Sequence, residues 1–145
     1  MSLLYKRITL CVADLERSLT IYRDILGFTI NYIQPSEKDS FSYPVFNIPN
    51  EADLNFATMD SPTQERTFAL TEIKGVPLPK QEGIHMTASV IKVDDLADVI
   101  SKIKDLGLKT TDVKTDENDY ATFIEQAFID YDGHLIVLYQ LMEKI

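Results

Sequence analysis

One cysteine and two histidines occur in 145 residues. With Cys11 alone, no intrachain disulfide can form and zinc-type cysteine spacing is excluded. The scarcity of histidine argues against a histidine-built metal centre. Basic residues are also few: fourteen against twenty-three acidic ones give a net charge of −9. That field repels phosphate backbones and anionic bilayers, so neither nucleic acid nor a membrane is an expected partner. The longest purely apolar run, Leu135 to Tyr139, is five residues, far below a membrane span. The first residues reach Lys6 and Arg7 before an apolar signal region develops, which gives a cytosolic expectation. A nucleophile–base constellation and a phosphate loop are absent too.

What is present is a domain-sized chain, 45% hydrophobic and 26% charged, enough for one core without a covalent or metal staple. From Tyr5 to Val12, Ile8, Leu10 and Val12 alternate with Arg7, Thr9 and Cys11, as on a half-buried strand. Asp14 then precedes Leu15, Leu19, Tyr22 and Leu26, and Gly27 follows. An N-cap, an apolar stripe and a stop predict one helix over 14–27. Strands are expected over 28–33, 41–48, 53–58 and 67–73, with turn-forming residues between them. The segment 74–84 holds prolines and glycines without a sustained period and reads as a connector.

Beyond the connector the pattern returns. Ala88 to Val93 reads as a strand; Asp94 and Asp95 offer caps; Leu96, Val99, Ile100, Ile103 and Leu106 form a helical stripe; Gly107 stops it. The offset is 81 between Val12 and Val93, Asp14 and Asp95, and Leu15 and Leu96, and 80 between Gly27 and Gly107. Strands over 108–113, 121–130 and 135–140 complete the second copy, with Asp132-Gly133 as a hairpin signal. The repeat predicts two βαβββ modules, about 5–73 and about 85–141, within a single domain spanning 1–145.

The segment from Arg7 to Phe28, with Asp14, Tyr22-Arg23-Asp24 and Leu26-Gly27-Phe28 in register, and the segment Phe128 to Leu138 resemble the vicinal oxygen chelate superfamily of glyoxalase I, extradiol dioxygenases and fosfomycin- and bleomycin-resistance proteins. Tyr131 stands where that family usually has proline. The resemblance implies an α+β fold in which two βαβββ modules form a cup-shaped curved sheet with the helices outside. It also implies a homodimer, because chains of this length commonly complete each cup from two copies.

That superfamily usually holds a divalent metal on two histidines and two glutamates. At the matching positions this chain has Arg7, Ala69, Ala88 and Val137, with Glu72 three residues from Ala69. Alanine and valine have no lone pair, and a protonated arginine does not bind a cation. The expectation is therefore a lost metal site and no cofactor. By strand alternation Arg7, Thr9 and Cys11 share one face, as do Ala88, Val90 and Lys92, and Leu135, Val137 and Tyr139. With Ala69 they form the candidate ligand-binding set, a mostly apolar cup containing cations.

Plainer readings stand beside these. Arg7 is as well explained by an internal ion pair with Glu72 or Glu125 as by a ligand. Cys11 is an ordinary small hydrophobe unless Arg7 lowers its pKa. His85 and His134 read as loop and turn residues, Asp130 and Asp132 as turn residues, and Asp116 to Asp119 as solvated loop. Asp14 and Asp95 are caps worth about 1 kcal/mol each. Three functions follow in order: a small-molecule-binding protein taking an apolar or aromatic ligand, anionic where Arg7 holds it; a lyase, isomerase or dioxygenase-type enzyme with a metal-free or unaligned site such as Cys11, Glu72 and a histidine; and a regulatory subunit with a filled cup.

Overall fold

A computed structural model describes residues 2–144. It divides into two units, one ending at Pro79 and the other beginning at Lys80. In the first unit the order is β1 (Ile8–Val12), α1 (Leu15–Leu19), a π-helical continuation (Thr20–Ile25), β2 (Thr29–Pro35), α2 (Ser42–Phe46), β3 (Asp53–Asp60) and β4 (Phe68–Lys74). In the second it is β5 (Ser89–Lys92), α3 (Leu96–Asp105), β6 (Lys114–Glu117), β7 (Ala121–Ile129) and β8 (Leu135–Glu143). Each unit folds into a four-stranded mixed sheet, ordered β1-β4-β3-β2 and β5-β8-β7-β6. The first and last strands of each module pair in parallel and the remaining pairs are antiparallel. The fold is thus α+β, two βαβββ modules of one topology.

Amphipathic patterning explains both modules. Leu10, Val12, Ala57, Met59, Phe68 and Leu70 share one face of the first sheet and are buried with Leu15, Leu19, Ile21 and Tyr22 of the helix. The Phe68 ring stacks on Phe28 at 4.9 Å and lies 4.8 Å from Tyr22. In the second module Phe128, Ile136 and Leu138 are buried with Leu96, Val99, Ile100 and Ile103.

The helix starts are built twice in the same way. Asp14 Oδ1 accepts from the Arg17 amide at 3.1 Å, and Asp95 Oδ1 from the Asp98 amide at 3.1 Å. The next amide is caught by the last strand of its own module: Leu15 N donates to Glu72 Oε2 at 2.6 Å, and Leu96 N to Gln140 Oε1 at 3.0 Å. Gly27 (φ 88°) and Gly107 (φ 80°) occupy the left-handed region just past the helices, where a side chain would be strained.

Four sequence expectations are corrected. The helix over 14–27 is α-helical only to Leu19. Leu26 N bonds Ile21 O at 2.9 Å, a π spacing, and the widened turn buries the neighbours Ile21 and Tyr22 together while Leu26 stays partly exposed. The strand expected over 41–48 contains the short helix α2. Ser40 Oγ accepts from the Ser42 amide, Pro44 has no N–H for a sheet, and Asn47 ends the turn at φ 56°. The strand expected over 108–113 reduces to a single bridge between Thr110 and Phe128. The pairing strand is β6, which takes up Asp116 and Glu117 from the stretch read as loop; all four β6 residues are exposed.

Candidate functional site

Strand registry arranges the face of the first sheet opposite its helix in rows. Thr9, Ala69 and Thr58 lie side by side with Tyr32 beyond Thr58; Cys11, Thr71 and Phe56 form the next row with Gln34; Ile73 and Leu54 form the third. Thr9, Cys11 and Ala69 of the candidate set are therefore brought together on one face. One end of it is closed by α2. Tyr43, Ala52, Leu54 and Ile73 form a buried cluster against which Cys11, Ile48, Val76 and Leu78 pack. Tyr43 donates its hydroxyl to the Ala52 carbonyl at 2.8 Å.

Two residues of this face were missed by sequence reasoning. Thr58 and Thr71 are buried, and neither hydroxyl has a hydrogen-bond partner among the described residues. A buried hydroxyl without a partner costs about 1–3 kcal/mol, so the pair is an unsatisfied polar spot beside Ala69. The available signal was the alternation of Leu54, Phe56 and Thr58, which places a threonine in line with two hydrophobes.

Arg7 lies just before β1 and is half-buried. Its Nε donates to the Arg66 carbonyl at 3.1 Å. Arg66 has a left-handed backbone (φ 52°), and its amide donates to Asp60 Oδ1 at 2.8 Å, which also accepts from Asn31 Nδ2 at 3.0 Å. These hydrogen bonds, first that of the Arg66 amide, hold the Asp60 carboxyl below the usual carboxylate range. Of the two readings of Arg7, the internal ion pair with Glu72 does not form. Glu72 faces the helix side of the sheet, bonds the Leu15 amide and lies 4.0 Å from Lys74 Nζ. Within the described residues no carboxylate pairs with Arg7. The same geometry separates two members of the set of Cys11, Glu72 and a histidine: Cys11 is in register with Thr71, so Glu72 points to the opposite face.

In the second module Val90, Val137 and Ala127 form one row across β5, β8 and β7, and Lys92, Tyr139 and Glu125 form the next. Leu135 opposes Ile129 on the same face. Leu135, Val137 and Tyr139 are half-buried, Ala88 and Lys92 are exposed, and Val90 is 62% exposed. A concavity of about 350 Å³ over β6 and β7 is lined by Lys114, Thr115, Asp116, Phe123 and Glu125. The hairpin residues behave as turn formers: Asp130 Oδ1 accepts from the Asp132 and His134 amides at 2.9 and 2.8 Å.

The positions that the family resemblance assigns to metal ligands do not fit a cation. Arg7, Ala69, Ala88 and Val137 offer no lone pair, and among the described residues no group of three His, Cys, Asp or Glu side chains is gathered as a metal would need. No described helix is long and apolar enough to cross a membrane.

The topology and the sequence lead to one family. The profile of the Glyoxalase/Bleomycin resistance protein/Dioxygenase superfamily matches residues 5–138, and the chain belongs to that superfamily. Among solved structures it is similar to a glyoxalase family protein from Bacillus cereus, with a TM-score of 0.75, 12% identity, and 94% of this chain and 93% of that one covered. A second similar structure is the trypanothione-dependent glyoxalase I of Leishmania major, with a TM-score of 0.60, 19% identity, and 96% and 87% covered. A third is a fosfomycin resistance protein from Mesorhizobium loti, with a TM-score of 0.56, 17% identity, and 93% and 89% covered. No curated protein matches the chain.

Proposed function

We propose that this chain is a cytosolic, metal-free small-molecule-binding member of the superfamily, taking an apolar or aromatic ligand on its concave faces with Arg7 as the anchor of an anionic group. The observation that carries this reading is the state of Arg7. It is half-buried, its Nε rests on a backbone carbonyl, and no carboxylate among the described residues neutralises it. A guanidinium so placed retains two terminal nitrogens for a bidentate contact with a carboxylate. Small or apolar residues stand at 69, 88 and 137, the positions that the resemblance assigns to metal ligands, and within the second module Val90, Leu135 and Tyr139 offer an apolar surface with Lys92 as a positive charge on the same face.

A thermal-shift series with benzoate, phenylacetate and 4-hydroxybenzoate on the wild type and Arg7→Ala tests the reading. At least one anion should stabilise the wild type and lose that effect in the variant, since truncating one partner of a buried charge pair typically costs about 2–5 kcal/mol. Equal stabilisation of both proteins, or none of either, removes Arg7 from a binding role.

The reading includes a homodimer. The apolar face around Val90 and Val137 is left open in the second module, and a second copy would cover it. Sedimentation should give twice the chain mass at micromolar concentration; a stable monomer overturns this part.

A further inference from the structure

The first module carries a second feature that the Arg7 reading does not use. Between β2, β3 and the loop leading into α2 lies a cleft of about 420 Å³. Its floor is Tyr32, Gln34 and Phe56, with the two rings 6.1 Å apart and tilted by 36°. Its rim carries Glu37 and Asp39, and no lysine or arginine lines it. The volume lies within the roughly 300–1,000 Å³ typical of small-molecule sites.

The charge on that rim is unbalanced for a structural reason. Lys38 stands between the two acids in sequence, yet its ammonium is committed elsewhere. It donates to the Asn50 carbonyl at 2.9 Å, the Ala52 carbonyl at 2.7 Å and Asp53 Oδ1 at 3.1 Å, and lies 5.6 Å from the Tyr43 ring centroid. Asn50 Nδ2 returns a bond to the Lys38 carbonyl at 2.9 Å, so the loop is pinned from both directions. Glu37 and Asp39 flank this anchor, exposed and with no hydrogen bond or ion pair to their side chains among the described residues. Ser36, Ser40 and Ser42 complete the lining and bring hydroxyl groups to it.

We propose that this cleft is a subsite for an organic cation, a protonated primary amine on a flat aromatic body. The ring faces of Tyr32 and Phe56 attract both the aromatic body and the positive charge. The two carboxylates neutralise that charge. An ammonium with N–H groups can also donate to the serine hydroxyls that line the cleft, which a quaternary ammonium cannot. The net charge of −9 raises the local concentration of cations and disfavours anions at this rim. The subsite lies wholly within the first module and takes a charge opposite to that expected at Arg7, so it does not rest on that reading.

The test is a titration of the 15N-labelled full chain, followed by amide shifts, with 2-phenylethylammonium, the neutral 2-phenylethanol and the anionic phenylacetate. The cation should shift the amides of Tyr32, Gln34 and the loop 36–42 in a saturable way and bind about tenfold more tightly than the alcohol. The double variant Glu37→Gln, Asp39→Asn changes two exposed side chains and should weaken the amine about tenfold while leaving the alcohol unchanged. Phe56→Leu should weaken both. Equal binding of amine and alcohol overturns the proposal, as does unaltered amine binding in the double variant or a shift pattern centred away from the cleft. Phenylacetate shifts centred on Arg7 and Arg66 report the other site, so the two readings fail separately.

Discussion

The two modules share strand order, helix caps and even the cross-strand acceptor for the first helical amide, yet their faces opposite the helix differ. In the first module that face is buried at Leu54, Thr58, Ala69, Thr71 and Ile73 and is plugged at one end by Tyr43. In the second it stays open, with Val90 62% exposed and Leu135, Val137 and Tyr139 half-buried. The difference comes from the chain between the second and third strands of each module. The first module spends it on α2 and a loop pinned through Lys38. The second joins β6 to β7 through Asn118, Asp119 and Tyr120 alone, and the strand β6 itself contributes no apolar residue. One topology can thus carry both a filled face and an open one, depending on one connection.

The strongest way to break this comparison is truncation at the plug. Tyr43→Ala removes a buried ring and its hydrogen bond and should cost about 3–5 kcal/mol by urea denaturation, whereas Val90→Ala at the open face should change stability by less than about 0.5 kcal/mol. Similar costs at both sites would show that the faces are equally packed.

A smaller effect sharpens the shared part. Glu72→Ala leaves the Leu15 amide without its charged acceptor and should cost about 1.5–3 kcal/mol; Gln140→Ala removes a neutral acceptor and should cost about 0.5–1.5 kcal/mol. Measured unfolding free energies in the reverse order would contradict the greater strength assigned to the charged acceptor. Asp14→Ala and Asp95→Ala should each cost about 1 kcal/mol and agree with one another, because the cap geometry is the same in both modules.

The smallest effect is a pH dependence confined to the first module. Asp60 has its folded pKa lowered by the Arg66 amide and by Asn31, so its stabilising contribution is complete above the ordinary carboxylate pKa and is lost as pH falls through the lowered folded value. Asp60→Asn should therefore flatten the acid limb of a stability–pH curve below about pH 4 and leave neutral pH nearly unchanged. An unaltered acid limb would exclude this contribution.

Local chemistry made much of the fold legible in the sequence. Asp14 and Asp95 cap because a short carboxylate before an apolar stripe reaches the amide three residues on, and Gly27 and Gly107 end helices because the left-handed backbone there rejects a side chain. Strand alternation placed Thr9 and Cys11 on one face and Leu10 and Val12 on the other. These are interactions within a few residues, and their register repeats at almost constant offset. That repeat determined the two βαβββ modules.

What only tertiary structure decided depends on partners distant in the chain. Phe41 to Ile48 has the apolar content of a strand, and the Ser40 turn, Pro44 and packing on Ala52, Leu54 and Ile73 made part of it helical. Glu72 was a plausible partner for Arg7 by type, but strand parity turned it toward the helix, where the Leu15 amide is the stronger claimant. Arg7 met a backbone carbonyl from a hairpin some sixty residues away. Lys38 was drawn from its acidic neighbours to the carbonyls of Asn50 and Ala52, which no local pattern encodes. The sequence determined which residues alternate and where helices start; three-dimensional packing decided which partner each charge met, because those partners lie far apart in the chain.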